Sequence, residues 1–172
     1  DRPAIGEFKY VPPATTPFDP ETGKSVPNFA YGYVAESVTS SLDQETGEII
    51  IDDVCVVDDV GYAVNRSAIE GQIEGAISQA LGYTITENFI QKGGKVLTDK
   101  FSTYLIPTVL DMPKSVRSII LECHDSVGPF GVRGMGEMPY MPFAPALTHS
   151  LYLCSGKWFN SFPLTPPKVS DK

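Results

Sequence analysis

The strongest hydrophobic pattern in the chain has the spacing of an α-helix. Ile69, Ile73, Ile77 and Leu81 recur at every fourth residue, which would place them along one face of a helix. The pattern predicts an amphipathic helix over residues 65–88.

A line of small residues runs along the same predicted helix at intervals of three or four residues. It consists of Gly71, Gly75, Ser78 and Gly82. Each glycine inside a helix costs roughly 1 kcal/mol relative to alanine, so we expect another element or a cofactor to approach this side closely. Gln72 and Gln79 lie near the same side and could hydrogen-bond a ligand, although glutamine side chains are most often simply exposed.

Two segments on either side of a turn predict a β-hairpin. The first strand is predicted over residues 31–42 and the second over residues 48–57, which are rich in isoleucine and valine. Gly47 occupies the position in the turn that favours left-handed backbone.

The remaining elements follow the hairpin and the first helix. The sequence predicts an extended segment over 96–109, a strand over 116–123 and a second helix from about Phe143 to Cys154. The fold class is therefore α+β, with a β-hairpin and further strands packed against two helices.

Residues 1–30 differ from the rest of the chain because they are rich in proline. Proline favours extended or irregular backbone over a helix interior. Apolar side chains such as Phe8, Tyr10 and Phe18 argue against pure disorder, so we expect this segment to lie along a surface, such as one that belongs to another segment. We accordingly divide the chain into an extended segment, 1–30, and a domain portion, 31–172.

The composition excludes several classes of partner. The chain has 172 residues, a formal net charge of −8 and no cluster of Lys and Arg, so we do not expect it to bind nucleic acid. No apolar run approaches the length of a membrane span, so we expect no membrane partner. The three cysteines lie far apart without zinc or iron–sulfur spacing, so we expect buried, reduced thiols in a cytoplasmic protein.

An acidic cluster around the end of the second predicted strand has two interpretations. It consists of Asp52, Asp53, Asp58 and Asp59. Calcium binding is one interpretation, but the spacing does not match a calcium-binding loop. We therefore expect solvated charges at the strand ends and no metal site.

The run from Gly128 to Glu137 combines several glycines with one terminal carboxylate. Gly131, Gly134 and Gly136 tolerate unusual backbone conformations and let the backbone approach a ligand closely. Such a loop can present Glu137 to a cleft, and the prolines that follow prevent a regular helix from running through it. The alternative is that Glu137 only stabilises the start of the next helix through the helix dipole.

Four stretches of the sequence resemble the signatures of one family. They are Asp59-Val60-Gly61 with the segment up to Gly82, Ser102–Thr108, Gly131–Glu137 and Phe162–Val169. In this order they resemble the molybdenum hydroxylases, the family of xanthine dehydrogenase and aldehyde oxidase. Arg66 departs from the family pattern, which usually has proline there, and this affects only the expected start of the first helix.

The resemblance implies roles for individual residues. Glu137 matches the family's catalytic base, which would take a proton from a hydroxyl group on molybdenum, and Gln72 matches a glutamine that hydrogen-bonds the molybdopterin. Gly134 and Gly136 would let backbone amides approach the cofactor, whereas Arg133 is interpreted as structural. The substrate would be an aldehyde or an N-heterocycle that is hydroxylated with oxygen from water.

The resemblance covers only the C-terminal end of the family's large subunit. It implies a molybdopterin cofactor, with the cytosine dinucleotide form as one option, and iron–sulfur clusters and FAD on other domains or subunits. We expect the chain to need the remaining part of the molybdenum subunit and the iron–sulfur and flavin partners, to be inactive alone and to form homo-oligomers when isolated. Both an expressed fragment and a product of a split gene fit this picture. The rival interpretation is a stand-alone assembly or binding module that keeps the fold without catalysis.

Overall fold

The computed structural model describes residues 3–170 and has a three-stranded sheet at its centre. The elements in chain order are β1 (Tyr33–Leu42), β2 (Ile49–Asp59), α1 (Arg66–Leu81), β3 (Gln91–Lys92), β4 (Lys95–Val96), β5 (Val116–Leu121), α2 (Tyr140–Ser155) and α3 (Pro166–Val169). The strand order in the main sheet is β1–β2–β5, and β3 and β4 form a separate small hairpin. The α+β prediction is confirmed.

The main sheet is built on the predicted hairpin. β1 and β2 pair antiparallel, and β5 joins the other edge of β2 as a parallel strand. Side chains alternate between the two faces along the strands, apart from a bulge at Asp52 in β2. We call the face that packs against α1 and α2 the inner face, where Val54 and Val56 are fully buried, and the opposite face the outer face.

Helix α1 is capped by Asn65, whose side-chain oxygen accepts a hydrogen bond from the Ala68 N–H at 3.0 Å. Its buried residues follow the predicted apolar stripe and are Ile73, Ala76, Ile77, Ala80 and Leu81. The helix ends earlier than the predicted residue 88, because the chain passes into a π-helical turn, Gly82–Thr86.

The line of small residues on α1 is mostly open within this chain. A Cβ atom added at Gly71 or Gly75 would meet no atom within 4 Å. Gly82 is crowded, since an added Cβ would lie 2.1 Å from Oε1 of Glu87. Among residues 3–170, no other element packs closely against Gly71 or Gly75, and the alternative expectation that a cofactor approaches this side stays a prediction.

Helix α2 begins at Tyr140, before the predicted start at Phe143. Pro142 is tolerated because the first four N–H groups of a helix have no acceptor within the helix, whereas Pro145 lies inside the helix. Phe143, Leu147 and Leu151 are fully buried and complete the core over the inner face. The early start places Glu137 close to the first turn of the helix.

The C-terminal tail closes the core on the side of the hairpin turn. Leu164 and Val169 are 0% and 1% exposed. The N–H of Leu164 donates to the carbonyl oxygen of Thr84 at 2.7 Å. A Cβ atom at Gly47 would lie 2.3 Å from the carbonyl oxygen of Pro166, so the tail and the hairpin turn are in direct contact.

The proline-rich start of the chain lies outside this core. Residues 3–30 are almost entirely exposed, and Ile5 and Phe8 reach 85% and 90% exposure. One long-range contact is made by the Tyr10 hydroxyl, which donates to the carbonyl oxygen of Val127 at 3.0 Å. The segment therefore displays apolar side chains that no described part of the chain covers.

Several expectations about local environment are wrong. Cys123 and Cys154 are exposed rather than buried. Asp58 and Asp59 are buried, at 0% and 8% exposure, because they lie within the last residues of β2 rather than beyond it. The predicted extended segment over 96–109 consists mostly of turns and bends after β4.

None of the helices formed by residues 3–170 has the length and apolar character that crossing a bilayer requires.

Candidate active site

The glycine-rich loop is fixed to the end of β2 by backbone contacts. The N–H of Arg133 donates to the carbonyl oxygen of Val60 at 2.9 Å, and the N–H of Tyr62 donates to that of Gly131 at 2.8 Å. Gly61 has a φ of 64°, and a Cβ atom there would lie 2.1 Å from the Gly131 oxygen. Glycine is required at this position, so the end of β2 and the start of the loop form one unit.

Arg133 joins this loop to two buried carboxylates. Its Nη1 lies 2.6 Å from Oδ2 of Asp59, and its Nε lies 3.2 Å from Oδ2 of Asp125. All three side chains are between 10% and 12% exposed. The guanidinium carbon also lies 5.5 Å from the ring centroid of Tyr33. We call Asp59, Arg133 and Asp125 the clamp.

Each carboxylate of the clamp accepts two further hydrogen bonds from backbone N–H groups. The donors, at 2.8 to 3.1 Å, are Gly61 and Cys123 to Asp59, and Val127 and Gly128 to Asp125. Burial opposes the ionisation of Asp59, but the hydrogen bonds from backbone N–H groups and Arg133 hold its pKa below the usual value. Backbone hydrogen bonds are the main cause of the lowered pKa of Asp125, and Asp59 raises the pKa of Arg133. The clamp is therefore charged and fully partnered at neutral pH.

The second half of the loop is free by comparison. Within residues 3–170, no hydrogen bond uses the backbone N–H groups of Gly134, Met135, Gly136 or Glu137. A Cβ atom at Gly134 or Gly136 would meet no atom within 4 Å. Met135 is buried and anchors this half in the core. The loop therefore offers free N–H groups and open space beside Glu137.

Glu137 lies at the edge of a cleft of about 530 Å³. The other lining residues are Gln79, Tyr83, Glu87, Tyr104, Ile106 and Tyr140. The Glu137 side chain is exposed and makes no hydrogen bond or ion pair to any described residue. Tyr104 donates its hydroxyl to Glu87, while burial, with smaller contributions that include Glu137, raises the pKa of Tyr140. The cleft thus combines one free carboxylate with several tyrosines.

Gln72 lies in a different groove, of about 220 Å³, which Val132, Arg133 and Met135 also line. Gln72, Gly75 and Gln79 share one side of α1, and Gln79 reaches the Glu137 cleft. The structure therefore does not bring Gln72 and Glu137 into one cavity. It places them in two neighbouring clefts that the same loop borders, and their functional roles stay predictions.

Two groups of residues at this site were missed from the sequence. Asp125 lies in an irregular segment and gives no sequence signal, although its partner Asp59 belongs to a family-like stretch. Tyr83, Glu87 and Tyr104 were missed because they meet only through the packing of the segment that follows α1.

No metal site is formed by side chains of the described range. Among residues 3–170, no group of three or more His, Cys, Asp and Glu side chains is placed to hold a metal ion. Glu36 and Asp58 are carboxylic acids whose buried oxygens have no hydrogen-bond partner, and both lie on the inner face. Burial raises the pKa of Glu36 to about 8, and burial together with the nearby Asp59 raises that of Asp58 to about 6. They belong to the core rather than to either cleft.

Comparison with known proteins gives consistent matches. The model of a family described as molybdopterin cofactor-binding domain matches residues 2–113. The chain is 32% identical over 144 residues to the probable hypoxanthine oxidase XdhD of Escherichia coli (strain K12), and the match covers 83% of this chain and 15% of that protein. It is 27% identical over 137 residues to the xanthine dehydrogenase molybdenum-binding subunit of Escherichia coli O157:H7, where the match covers 78% of this chain and 18% of the relative.

A solved structure agrees with these matches. The aldehyde oxidoreductase from Desulfovibrio desulfuricans ATCC 27774 superposes with a TM-score of 0.77 and 27% identity, over 86% of this chain and 16% of that chain. The chain spans less than one fifth of the length of each of these relatives. The resemblance to the molybdenum hydroxylases is confirmed, and the chain belongs to the molybdopterin cofactor-binding domain family.

Proposed function

We propose that this chain is the C-terminal portion of the molybdenum subunit of a molybdenum hydroxylase and that Glu137 is its catalytic base. The position of Glu137 carries the proposal. Its carboxylate is exposed in a cleft, has no partner among residues 3–170 and follows a loop that the clamp holds in place. A general base needs free lone pairs and a fixed position within reach of the proton that it takes.

The residues around Glu137 fit a molybdopterin cofactor. Gly75 on α1, and Gly134 and Gly136 on the loop, leave open space where side chains would otherwise project. The free N–H groups of the loop can donate to oxygen atoms of a ligand, and the exposed amide of Gln72 can both donate and accept. When bound, the molybdenum cofactor supplies the two-electron oxidation chemistry.

The chain's own residues would hold and orient the cofactor and would move a proton. Gln72 and the loop N–H groups would hold the cofactor, and Glu137 would accept a proton at a carboxylate oxygen as the substrate carbon is hydroxylated. In the overall reaction, a C–H bond and water become a C–OH group, two protons and two electrons. The tyrosines of the cleft provide flat apolar surface, which suits a planar N-heterocycle or an aromatic aldehyde.

The two electrons require acceptors outside this chain. We infer iron–sulfur clusters and FAD on other domains or subunits, and a cofactor that is either molybdopterin or its cytosine dinucleotide form. The exposed apolar residues of the segment 3–30 support a partner surface on the remaining part of the molybdenum subunit. Without that part we expect the isolated chain to be inactive and to self-associate.

The test is Glu137→Gln in the complete, cofactor-loaded enzyme. The substitution keeps the shape of the side chain and removes the base, so kcat should fall by about 10²–10⁴-fold. Molybdenum content, measured by elemental analysis, should not change. Glu45→Gln is the control, since Glu45 is an exposed residue of the hairpin turn that lines neither cleft, and its kcat should stay close to that of the wild type. Full activity in Glu137→Gln would reject the assignment.

A further inference from the structure

We propose that Arg133 is a positioning residue that acts through Glu137. The inference rests on the proposed function, because it assigns a task to the clamp in the same site. Arg133 itself is mostly buried and faces two aspartates rather than the Glu137 cleft. It does not line the Glu137 cleft, although it borders the Gln72 groove, so an effect of Arg133 on kcat at unchanged molybdenum content has to pass through the loop.

The contacts divide the loop into a fixed half and a free half. Residues 131–133 are tied to the end of β2 by backbone hydrogen bonds and by the clamp. Residues 134–137 have no hydrogen bond through their own N–H groups among the residues described, and two of them are glycines open to space. The position of Glu137 therefore depends on the fixed half of the loop before it and on the start of α2 after it.

Contacts between residues close together in sequence also support the chain around Glu137. Met135 is buried, its carbonyl oxygen accepts the N–H of Met138 at 2.7 Å, and the Glu137 carbonyl accepts the N–H of Tyr140 at 3.1 Å. These bonds tie the free half to the start of α2. If the clamp is released, the segment between Gly131 and Met135 can shift as a hinge, because glycines supply the freedom.

A small displacement of a base has a large effect on rate. A misplacement of about 1 Å can cost roughly 10²-fold in the chemical step. Binding of the substrate need not change, because Arg133 does not line the Glu137 cleft. We therefore expect Arg133→Met to lower kcat by about 10- to 100-fold while KM changes less than about threefold.

Arg133→Lys should recover part of this loss. A lysine keeps the charge but cannot use two nitrogen atoms in the fork geometry that contacts both Asp59 and Asp125. Arg117→Met is the matched control. Arg117 pairs with Asp53 by the same kind of side-chain contact, but its side chain is 59% exposed and it lines neither cleft. We expect this control to keep kcat within about twofold, as is usual for exposed ion pairs.

The decisive measurement is a double-mutant cycle with Glu137→Gln in the complete enzyme. If Arg133 acts through Glu137, Arg133→Met should lower kcat by less than about threefold once Glu137 is already glutamine. An equal fold loss in both backgrounds would show a general structural role and overturn the inference, while the proposed function would stand. A wild-type rate for Glu137→Gln alone would instead reject the proposed function.

Hydrogen exchange gives a readout that does not depend on activity. In Arg133→Met, the amides of Met138 and Tyr140 should exchange faster than in the wild type, while amides of the buried strand β2 should not. Unchanged exchange at Met138 and Tyr140 would contradict release of the loop. If Arg133→Met does not fold, Asp125→Asn removes one arm of the clamp and keeps Asp59 on Arg133. It must then show the same dependence on Glu137, and equal losses in both backgrounds would overturn the inference.

Discussion

Asp58 and Asp59 are neighbours on β2, yet their carboxyl groups have opposite environments. Asp59 points to the outer face, where Arg133 and two backbone N–H groups satisfy it. Asp58 points to the inner face beside Val34 and Ile120, is 0% exposed and has no hydrogen-bond partner among the described residues. The difference follows from the alternation of side chains along a strand.

The two faces of the sheet therefore have different tasks. A buried charge with complete partners fixes the geometry around it, and the outer end of β2 uses such a charge to hold the loop before Glu137. A buried carboxyl group without hydrogen-bond partners is more stable in its neutral, protonated form than as a charged carboxylate. The inner face therefore serves as a core in which the carboxyl groups fit best when neutral, Asp58 below its pKa of about 6 and Glu36 below its pKa of about 8.

The largest effect on stability should come from removing one carboxylate of the clamp. Asp59→Asn leaves Arg133 buried with one carboxylate, Asp125, whose oxygen lies 3.2 Å from Nε. Breaking a buried ion pair costs about 3–5 kcal/mol, and we expect a loss of this size in urea denaturation of the chain at pH 7. Asp58→Asn makes the same chemical change one residue away and should cost less than about 1 kcal/mol. Equal losses in the two variants would contradict the distinction.

The regular elements were predictable from the sequence because their signals are local. The alternation in β1 and β2 and the stripe in α1 specify which residues are buried before any long-range contact forms. The predicted start of α2 near Phe143 is three residues too late, because a start there keeps Pro145 in the first turn, whereas the helix begins at Tyr140 and accommodates Pro145 in its interior.

The candidate site was less predictable because it depends on distant pairs. Glu137 and Gln72 stood out only through motifs that resemble a family. The clamp joins Asp59 to Arg133 across 74 positions and ends at Asp125 in an irregular segment, so no local pattern indicates it. The prediction of solvated charges is wrong at Asp58 and Asp59, and strand alternation already implies that these two residues face opposite sides.

An intermediate effect is expected from pH. Burial raises the pKa of Glu36 to about 8 and that of Asp58 to about 6. In the unfolded chain both groups titrate near about pH 4, so above that pH the folded chain binds more protons than the unfolded chain. The stability that they contribute is complete below about pH 4 and is lost as the pH rises through the two folded values. We expect a loss of about 1–3 kcal/mol between pH 5 and 8 after allowance for solvent screening.

Denaturation of matched variants at both pH values identifies the groups responsible. The double variant Glu36→Gln, Asp58→Asn should remove most of the pH dependence. Asp59→Asn should keep most of it, because the lowered pKa of Asp59 affects stability only at more acidic pH and burial is the main cause of the raised pKa values of Glu36 and Asp58. A wild-type chain that is as stable at pH 8 as at pH 5 would show that the inner face does not hold neutral carboxyl groups.

The smallest effect on stability should come from the open side of α1, and it has the opposite sign. Gly75→Leu adds a side chain where a Cβ atom meets nothing within 4 Å, so the chain alone should gain about 0.5–1 kcal/mol from helix propensity. Gly82→Leu is the control that should lose stability, because the added Cβ would also lie 2.8 Å from Cδ of Pro107, whose ring cannot rotate away.

The same Gly75→Leu change tests whether this open side faces the cofactor. In the complete enzyme the leucine would project between Gln72 and Gln79, on the surface that we assign to the molybdopterin. We expect the purified variant to contain less molybdenum than the wild type even though the chain alone melts at a higher temperature. Elemental analysis beside a thermal melt measures both quantities. If the variant were more stable and contained as much molybdenum as the wild type, the cofactor would bind elsewhere. The small residues on α1 would then have no ligand to explain them.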